Sequence, residues 1–532
     1  MKRVNLHPVL FALYAVLFGY ARNFEFAPPP TVLLLLLAIA AGSAAVVWAS
    51  FAVVMRSAQK SAIAASTLLV LFVSYGHVKN LVTAWSWGFH VFSLQVGAVK
   101  ITGAVGLAVA CAVAIWLHRA SRTATSMVAT AMNRTATILI LVSVVRLLDV
   151  GLIAKHQSGV ADGAELIPSA DHRLSTGAQD LPDVYYIILD GYGRSDVLKA
   201  VYNYDNSAFV AWLRQKGFYV ADESHSNYSQ TMLSLASSLN MMYLDPAVMK
   251  AAAPGPGDRQ LLATMIQENR VVHTLRDEGY RFVAFTTGYS GVQFPRADEV
   301  RRFSLLTDFE GSLLSTTPIV DLVETAYPQR ALHRQRVNYV FDHLADSYRG
   351  TGPRFVFAHI VSPHPPFIFK PDGTAVSRGT LTSDFFAAEQ IEAGNPADWE
   401  QLTVGYREQA EYVTRRIEGV LDAILAGSTR RPIIILQGDH GPDARLTWSG
   451  ESAEAMTERM SILNAYYAPP ETLARLYPSI TPVNTFRIIM GAMFDSPVNL
   501  LPDNSYFAPY ASPYDFVDVG ETMVDASRLA RN

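Results

Sequence analysis

Ile433-Ile434-Ile435-Leu436-Gln437-Gly438-Asp439-His440-Gly441 is the stretch on which the fold turns. An apolar run that leads within two residues into acid, imidazole and glycine predicts a buried strand with metal ligands at its C-terminal end. Open α/β sheets place their chemistry there. A second strand ends the same way, where Val184-Tyr185-Tyr186-Ile187-Ile188-Leu189 runs into Asp190-Gly191. Two carboxylates and an imidazole, each at a strand end, can converge on one divalent cation. Asp and Gly are also ordinary turn residues, so the pair of motifs carries the reading and neither does alone.

Working outward, further strands are expected at 281–287, 354–361 and 461–467, and helices at 205–216, 231–242, 262–278, 330–348 and 400–426. This alternation predicts an α/β domain with a largely parallel central sheet over residues 183–532. Residues 156–182 read as a polar linker, and 370–400 as a lid or surface insertion.

The chain before the linker has a different solvent. Residues 1–155 hold only two acids, Glu25 and Asp149, against twelve Lys or Arg. The remainder holds 45 acids against 31 bases, a balance of −14. A transmembrane helical region followed by an acidic globular domain is expected, with no nucleic-acid partner. Apolar stretches at 9–20, 31–55, 62–75, 96–117 and 135–153 give about five candidate spans, of which the first and third are short. With five spans, Lys2, Arg3, Arg56, Lys60, Arg119, Arg122 and Arg134 share one side, which the positive-inside bias makes cytoplasmic. An odd number of crossings then exports the second half; four would leave it inside. The only cysteine, Cys111, lies within a span, so the globular half folds without a disulfide. A multi-pass bacterial inner-membrane protein with a periplasmic catalytic domain is the resulting expectation.

Between the two ligand strands, Asn227-Tyr228-Ser229-Gln230-Thr231 leads into a helix beginning near Thr231. The first-turn N–H groups of such a helix favour an anion. A hydroxyl that also meets a cation becomes a usable nucleophile. The plain alternative is that Thr231 or Ser229 is an N-cap. Phe355 to Phe367 reads as a strand ending in a Pro-flanked turn that presents His364, a candidate ligand or proton shuttle. His359, inside the strand, reads as a core histidine.

The order Asp190, Thr231, His364, Asp439-His440 resembles the alkaline phosphatase/sulfatase superfamily, and within it the membrane-anchored branch of lipoteichoic acid synthases, phosphoglycerol transferases and phosphoethanolamine transferases. That resemblance implies one divalent metal ion (Mn, Mg or Zn) held by Asp190, Thr231, Asp439 and His440, with Thr231 as nucleophile. Gly288-Tyr289-Ser290 and Phe294-Pro295-Arg296 look like the branch's phosphate-binding segment, which makes Arg296 a substrate-binding candidate beside His364. No formylglycine signature lies near Thr231, and no histidine follows His440. Both departures turn the expectation from sulfatases and two-zinc enzymes to a single-metal phosphotransferase. It would move a phosphoglycerol-type group from a phospholipid, phosphatidylglycerol first among them, to an envelope glycan or lipid through a phosphothreonine. The alternatives are a phosphoethanolamine transferase, a phosphoester hydrolase with the same site, and a non-catalytic scaffold in polysaccharide assembly.

Overall fold

The computed structural model describes residues 5–22, 30–84, 89–91, 94–163, 181–253, 255, 257–289, 291–304, 308–326, 329–348, 352–376, 396–446, 452–497 and 499–531. Most of the supposed linker (164–180) and of the supposed lid (377–395) therefore lies outside the described residues. The chain divides into two compact units, one of residues 1–156 with 304–328, the other of 157–303 with 329–532.

The first unit holds helices α1 (His7–Arg22), α2 (Pro30–Met55), α3 (Ala58–Ala84), α4 (Ala98–Arg119) and α5 (Arg122–Gly163). Four stretches within them, Leu33–Met55, Ala58–Thr83, Ala98–Arg119 and Arg122–Leu148, are long and apolar enough to cross a membrane. The third expected span is thus much longer than its apolar run, because Lys60, His77 and Lys79 lie within a continuous helix. α5 continues eight residues into the expected linker. α1 has 16 residues, about 24 Å at the helical rise, somewhat short of a bilayer core of about 30 Å.

Its two ends nevertheless run level with α3. At one end Asn5 Nδ2 donates to the Ala58 carbonyl at 3.4 Å, and His7 Nδ1 and Ser66 Oγ share a hydrogen bond at 2.6 Å. The other end meets a segment from the far half of the sequence, helices α6 (Thr231–Asn240) intervening in chain order before α7 (Asp308–Ser315) and α8 (Ile319–Ala326). Phe309 of α7 stacks edge-on against Tyr20 at 5.6 Å, and Leu313 covers Gly19. The same segment grips α3: Gly76 N donates to the Thr316 carbonyl at 2.8 Å, and Lys79 Nζ lies 2.6 Å from Asp321 Oδ1. Tyr75 also donates to Asp321.

The second unit is built on a seven-stranded sheet: β1 (Val184–Leu189), β2 (Tyr219–Val220), β3 (Arg281–Phe285), β4 (Glu299–Arg301), β5 (Arg354–Ile360), β6 (Ile433–Gln437) and β7 (Asn464–Tyr467). Their spatial order is β2-β7-β6-β1-β5-β3-β4. β6, β1, β5, β3 and β4 run parallel, and β7 and β2 continue the sheet antiparallel at one edge. All five expected strands are present, and the two additions are edge strands of two and three residues.

Near-continuous apolar runs are what a parallel sheet covered on both faces requires. Alternate residues of each strand serve opposite layers. Val184, Tyr186 and Ile188 join Phe355, Phe357, Ile433 and Ile435 in the core that Leu233, Leu235 and Leu239 of α6 complete. Tyr185, Ile187 and Leu189 join Val356, Ile360, Ile434 and Leu436 on the other side. There the cover is α9 (Pro396–Gly427), through Tyr406, Val413, Ile417 and Leu421. A further helix, α10 (Ala453–Met460), follows β6 and ends against its exit loop. The α/β fold class with an apolar helical region before it is the one expected.

Candidate metal centre and nucleophile

β1 and β6 are neighbours in the sheet with parallel register, so the residues that follow them emerge side by side. Asp190, Asp439 and His440 each offer a ligand atom, and these atoms lie within 4.8 Å of one another. His440 Nε2 is 3.3 Å from Asp439 Oδ2 and 3.6 Å from Asp190 Oδ1. Asp439 Oδ1 is occupied by the Gly191 N–H at 3.1 Å. Asp190 Oδ1 and Asp439 Oδ2 are buried without any hydrogen-bond donor. Two orphaned carboxylate oxygens beside an imidazole nitrogen are costly unless a cation meets them. The donor set of oxygens and one imidazole fits a divalent ion.

Thr231 comes to the same point from the other layer. It is the first residue of α6, and its Oγ1 lies 3.1 Å from His440 Nε2. No side chain caps this helix: the Gln230 side chain turns away, with its Nε2 donating to the Ala508 carbonyl at 2.9 Å. Thr231 is therefore not an N-cap, and its hydroxyl shares the helix N-terminus with uncapped first-turn N–H groups. It keeps 9% of its surface exposed, against 3% for Asp190 and 1% for Asp439 and His440. The reachable atom of the cluster is the hydroxyl.

The positions are held by polar contacts that do not depend on a ligand. The Asp439 carbonyl accepts from Ser226 Oγ at 2.6 Å and Ser234 Oγ at 2.7 Å, tying the ligand loop to α6. Arg459 at the end of α10 donates to the Ser229 carbonyl at 2.8 Å and to that of Gly441 at 3.2 Å. Gly441 is required by close approach, since a Cβ there would lie 2.2 Å from the Glu458 carbonyl oxygen. Glu458 itself accepts from the Ala444 and Arg445 N–H groups at 2.9 and 3.1 Å and from Tyr202. Burial pushes its carboxyl up to about 7.

His364 sits beside these groups, with its ring centre 6.2 Å from that of His440 and its N–H donating to the Asp190 carbonyl at 3.0 Å. Its turn is clamped by Gln409 of α9. The Gln409 amide donates to the carbonyls of Pro363 and His364 at 3.1 and 3.0 Å, and its oxygen accepts from the N–H groups of Ile368 and Phe369. From the same face of α9, Tyr406 donates to the Gly191 carbonyl at 2.8 Å. One helix thus fixes both the Asp190 turn and the His364 turn.

His359 is not an inert core histidine. Its Nε2 lies 2.9 Å from Asp190 Oδ2, which leaves Oδ1 as the oxygen free for a cation. Burial favours neutral forms for both groups. Their mutual contact, with His364 also acting on Asp190, nevertheless holds the carboxyl below its ordinary range and the imidazole above its own. Burial and the neighbouring Arg459 depress His440, which suits a neutral ligand.

Arg296 is not brought to this cluster. Its side chain is 76% exposed and pairs with Glu268, while its carbonyl accepts from Arg276. Tyr289 of the same expected segment does reach the site and lies edge-on to His359 at 6.5 Å. Besides Arg459, the guanidinium that approaches the Thr231 segment is that of Arg259, which donates to Gln230 Oε1 at 3.0 Å and stacks over Tyr510 at 4.3 Å. A lone Arg in a Gly-Pro-rich loop gave no signal of this in the sequence, and neither did Gln409, a polar residue within an amphipathic helix.

No family model matches this chain, and neither does the sequence of any curated protein. Among solved structures, the fold is similar to the C-terminal periplasmic domain of EptC from Escherichia coli in complex with Zn, at a TM-score of 0.46 and 8% identity, over 69% of this chain and 99% of that one. It is similar to the integral membrane lipooligosaccharide phosphoethanolamine transferase A from Neisseria meningitidis at a TM-score of 0.39 and 12% identity, over 92% and 94% of the two chains. A protein of the alkaline phosphatase superfamily from Vibrio parahaemolyticus is similar at 0.36 and 9% identity, over 62% of this chain and 74% of that one.

Proposed function

We propose that this protein is a membrane-bound, metal-dependent phosphotransferase that carries a phospholipid-derived phosphoryl group on Thr231 and passes it to an envelope glycan or lipid. The observation that carries the proposal is the Thr231 hydroxyl, 3.1 Å from His440, at an uncapped helix N-terminus beside two orphaned carboxylate oxygens. Asp190, Asp439, His440 and Thr231 would hold one divalent cation, Mn, Mg or Zn. Bound there, it would supply charge neutralisation and make the hydroxyl more acidic.

Thr231 Oγ1, its proton released to water, would attack phosphorus as the bond to the lipid's glycerol oxygen breaks, releasing diacylglycerol. His364 is placed to give that oxygen a proton. The first-turn N–H groups of α6 receive the phosphoryl charge, and Arg259 adds a second cationic contact. An acceptor hydroxyl then displaces the threonine, returning its proton by the same histidine. Phosphatidylglycerol as donor, and hence a phosphoglycerol-type group, follows the single-ligand-set reading of the sequence.

The spans support an exported site. α1 packs along α3, with His7 against Ser66, and α7 and α8 meet both helices further on, at Gly19–Tyr20 and Tyr75–Lys79. Counted with the four longer apolar helices, α1 would be the first of five crossings. Five crossings with Lys2, Arg3, Arg56 and Lys60 inside would put α7 and α8 outside. The chain joins them to residues 303 and 329 through segments too short to cross back, so the same topology would export the candidate metal centre to the bacterial envelope.

Intact mass of the purified chain after incubation with manganese and labelled phosphatidylglycerol tests this, with Thr231→Ala alongside. A gain of one phosphoglycerol on the wild type alone, with release of diacylglycerol, is expected. Equal lipid turnover in both proteins would remove Thr231 as nucleophile.

A further inference from the structure

Residues 304–328 come from the globular half of the sequence, between β4 and the helix Gln329–His343, yet belong to the membrane unit. Their attachment is specific. A Cβ at Gly76 would lie 2.1 Å from the Ser315 carbonyl oxygen and 2.9 Å from the Thr316 Cα, so the backbone approach requires glycine at that point of α3. The Lys79–Asp321 pair beside it is largely shielded, with side chains 17% and 20% exposed. Phe309, 1% exposed, fills the space against Tyr20.

These contacts fall in the last two turns of the apolar span Ala58–Thr83 and in the last turn of α1, which would put α7 and α8 near the level where hydrocarbon gives way to headgroups. Asp321 turns one side of α8 towards α3. Ile319 and Leu322, three residues apart and on one helical face, point elsewhere and are 37% and 73% exposed. The segment from Asp308 to Ala326 carries four acids and no Lys or Arg, and one of those acids is neutralised by Lys79. A segment without basic residues suits the outer leaflet rather than the anionic cytoplasmic one.

We propose that α7 and α8 form an interfacial element seated in the outer headgroup layer, with the Ile319–Leu322 face against lipid and the Gly76–Lys79–Asp321 contact as its anchor. It is the partner surface for phospholipid rather than for protein. The chain joins this element to the globular half at residues 303 and 329, so its anchoring should favour turnover of a membrane-borne donor over a soluble one; this last consequence rests on the function proposed above.

The test uses the full chain in lipid nanodiscs, with Cys111→Ser and Leu322→Cys carrying an environment-sensitive fluorophore. Quenching by a lipid with a nitroxide near the headgroup, and protection from aqueous iodide, are expected. Gly76→Val should reverse both, and the milder Asp321→Asn should weaken both if the larger change disturbs folding. Free access of iodide in the anchored protein overturns the proposal. So does protection that persists in detergent and grows with protein concentration, which would assign the face to a second copy. Turnover gives an independent arm: Gly76→Val should lose about tenfold or more of activity on vesicle lipid, as expected when a tether is cut, and retain it on a soluble phosphodiester. Equal loss on both substrates would overturn the tethering consequence. Absence of any turnover in the unaltered protein would count against the proposed function, while the quenching still decides the seat.

Discussion

The two sides of the candidate site are built by different means. Asp190, Asp439 and His440 project from the ends of adjacent parallel strands whose every residue is buried, so the sheet register fixes them to one another. The rim is assembled from loops: His364 on a turn held by Gln409, Tyr289 after β3, and Arg259 held by Gln230. The floor is rigid because backbone pairing over-determines it. The rim is only as well placed as the few side chains that clamp it. Removing a floor residue should abolish chemistry, whereas removing a clamp should degrade alignment in steps.

The largest expected effects therefore lie on the floor. Thr231→Ala removes the proposed nucleophile and should cost about a thousandfold or more in kcat, with the fold intact by circular dichroism. Asp439→Asn should do comparable damage and also reduce metal retained through dialysis, measured by atomic emission. Full metal retention in Asp439→Asn, with activity lost, would separate the carboxylate from the proposed ligand set.

The rim should yield less. Gln409→Leu leaves the carbonyls of Pro363 and His364 and the N–H groups of Ile368 and Phe369 without their buried partner. A misplaced His364 should lower kcat by up to about a hundredfold, with metal content unchanged. Gln409→Glu, which keeps the acceptor and loses the donors, should fall between. Metal loss in Gln409→Leu would show that floor and rim are a single unit after all.

The same division explains what could be read from sequence. A parallel strand covered on both faces is an unbroken apolar run, and its ligand residues follow at once, so four parallel strands, Asp190 and the Asp439-His440 pair were visible as pattern. The edge strands Tyr219–Val220 and Glu299–Arg301 are too short to show a period. His359 is buried as a core histidine, but its contact with Asp190 was not legible because it depends on what β1 presents alongside it: Ile188 is its register partner, and Asp190 lies just past the strand end. Nothing in its own neighbourhood records that. The docking of 304–328 was invisible for the same reason, since Gly76 and Asp321 are unremarkable until they meet.

Glu458 lies beneath the floor and reports on its stability. With its carboxyl raised from the ordinary 4.5 to about 7, the folded state holds a proton there that the unfolded chain releases. Its stabilising contribution is complete below the unfolded value and is lost as pH rises through about 7. Stability of the globular half should thus fall between pH 5 and pH 8 by something on the order of 1–3 kcal/mol, and Glu458→Gln should flatten that slope in urea titrations. A slope unchanged by the substitution would mean that Tyr202 and the two N–H donors keep the carboxylate ionised.

Arg296 sets the lower bound of the comparison. It adjoins the aromatic segment in sequence, but the chain turns so that Tyr289 points to His359 while Arg296 points to solvent and Glu268. An exposed ion pair contributes little, and no floor or rim residue depends on this one. Arg296→Ala should leave kcat/KM for the lipid donor within about twofold, whereas Arg259→Ala should raise KM more than it lowers kcat, as loss of uniform binding does. If the two results are exchanged, the substrate approaches across the Arg296 surface, and the rim extends further from the metal centre than the clamps at Gln409 and Gln230 define.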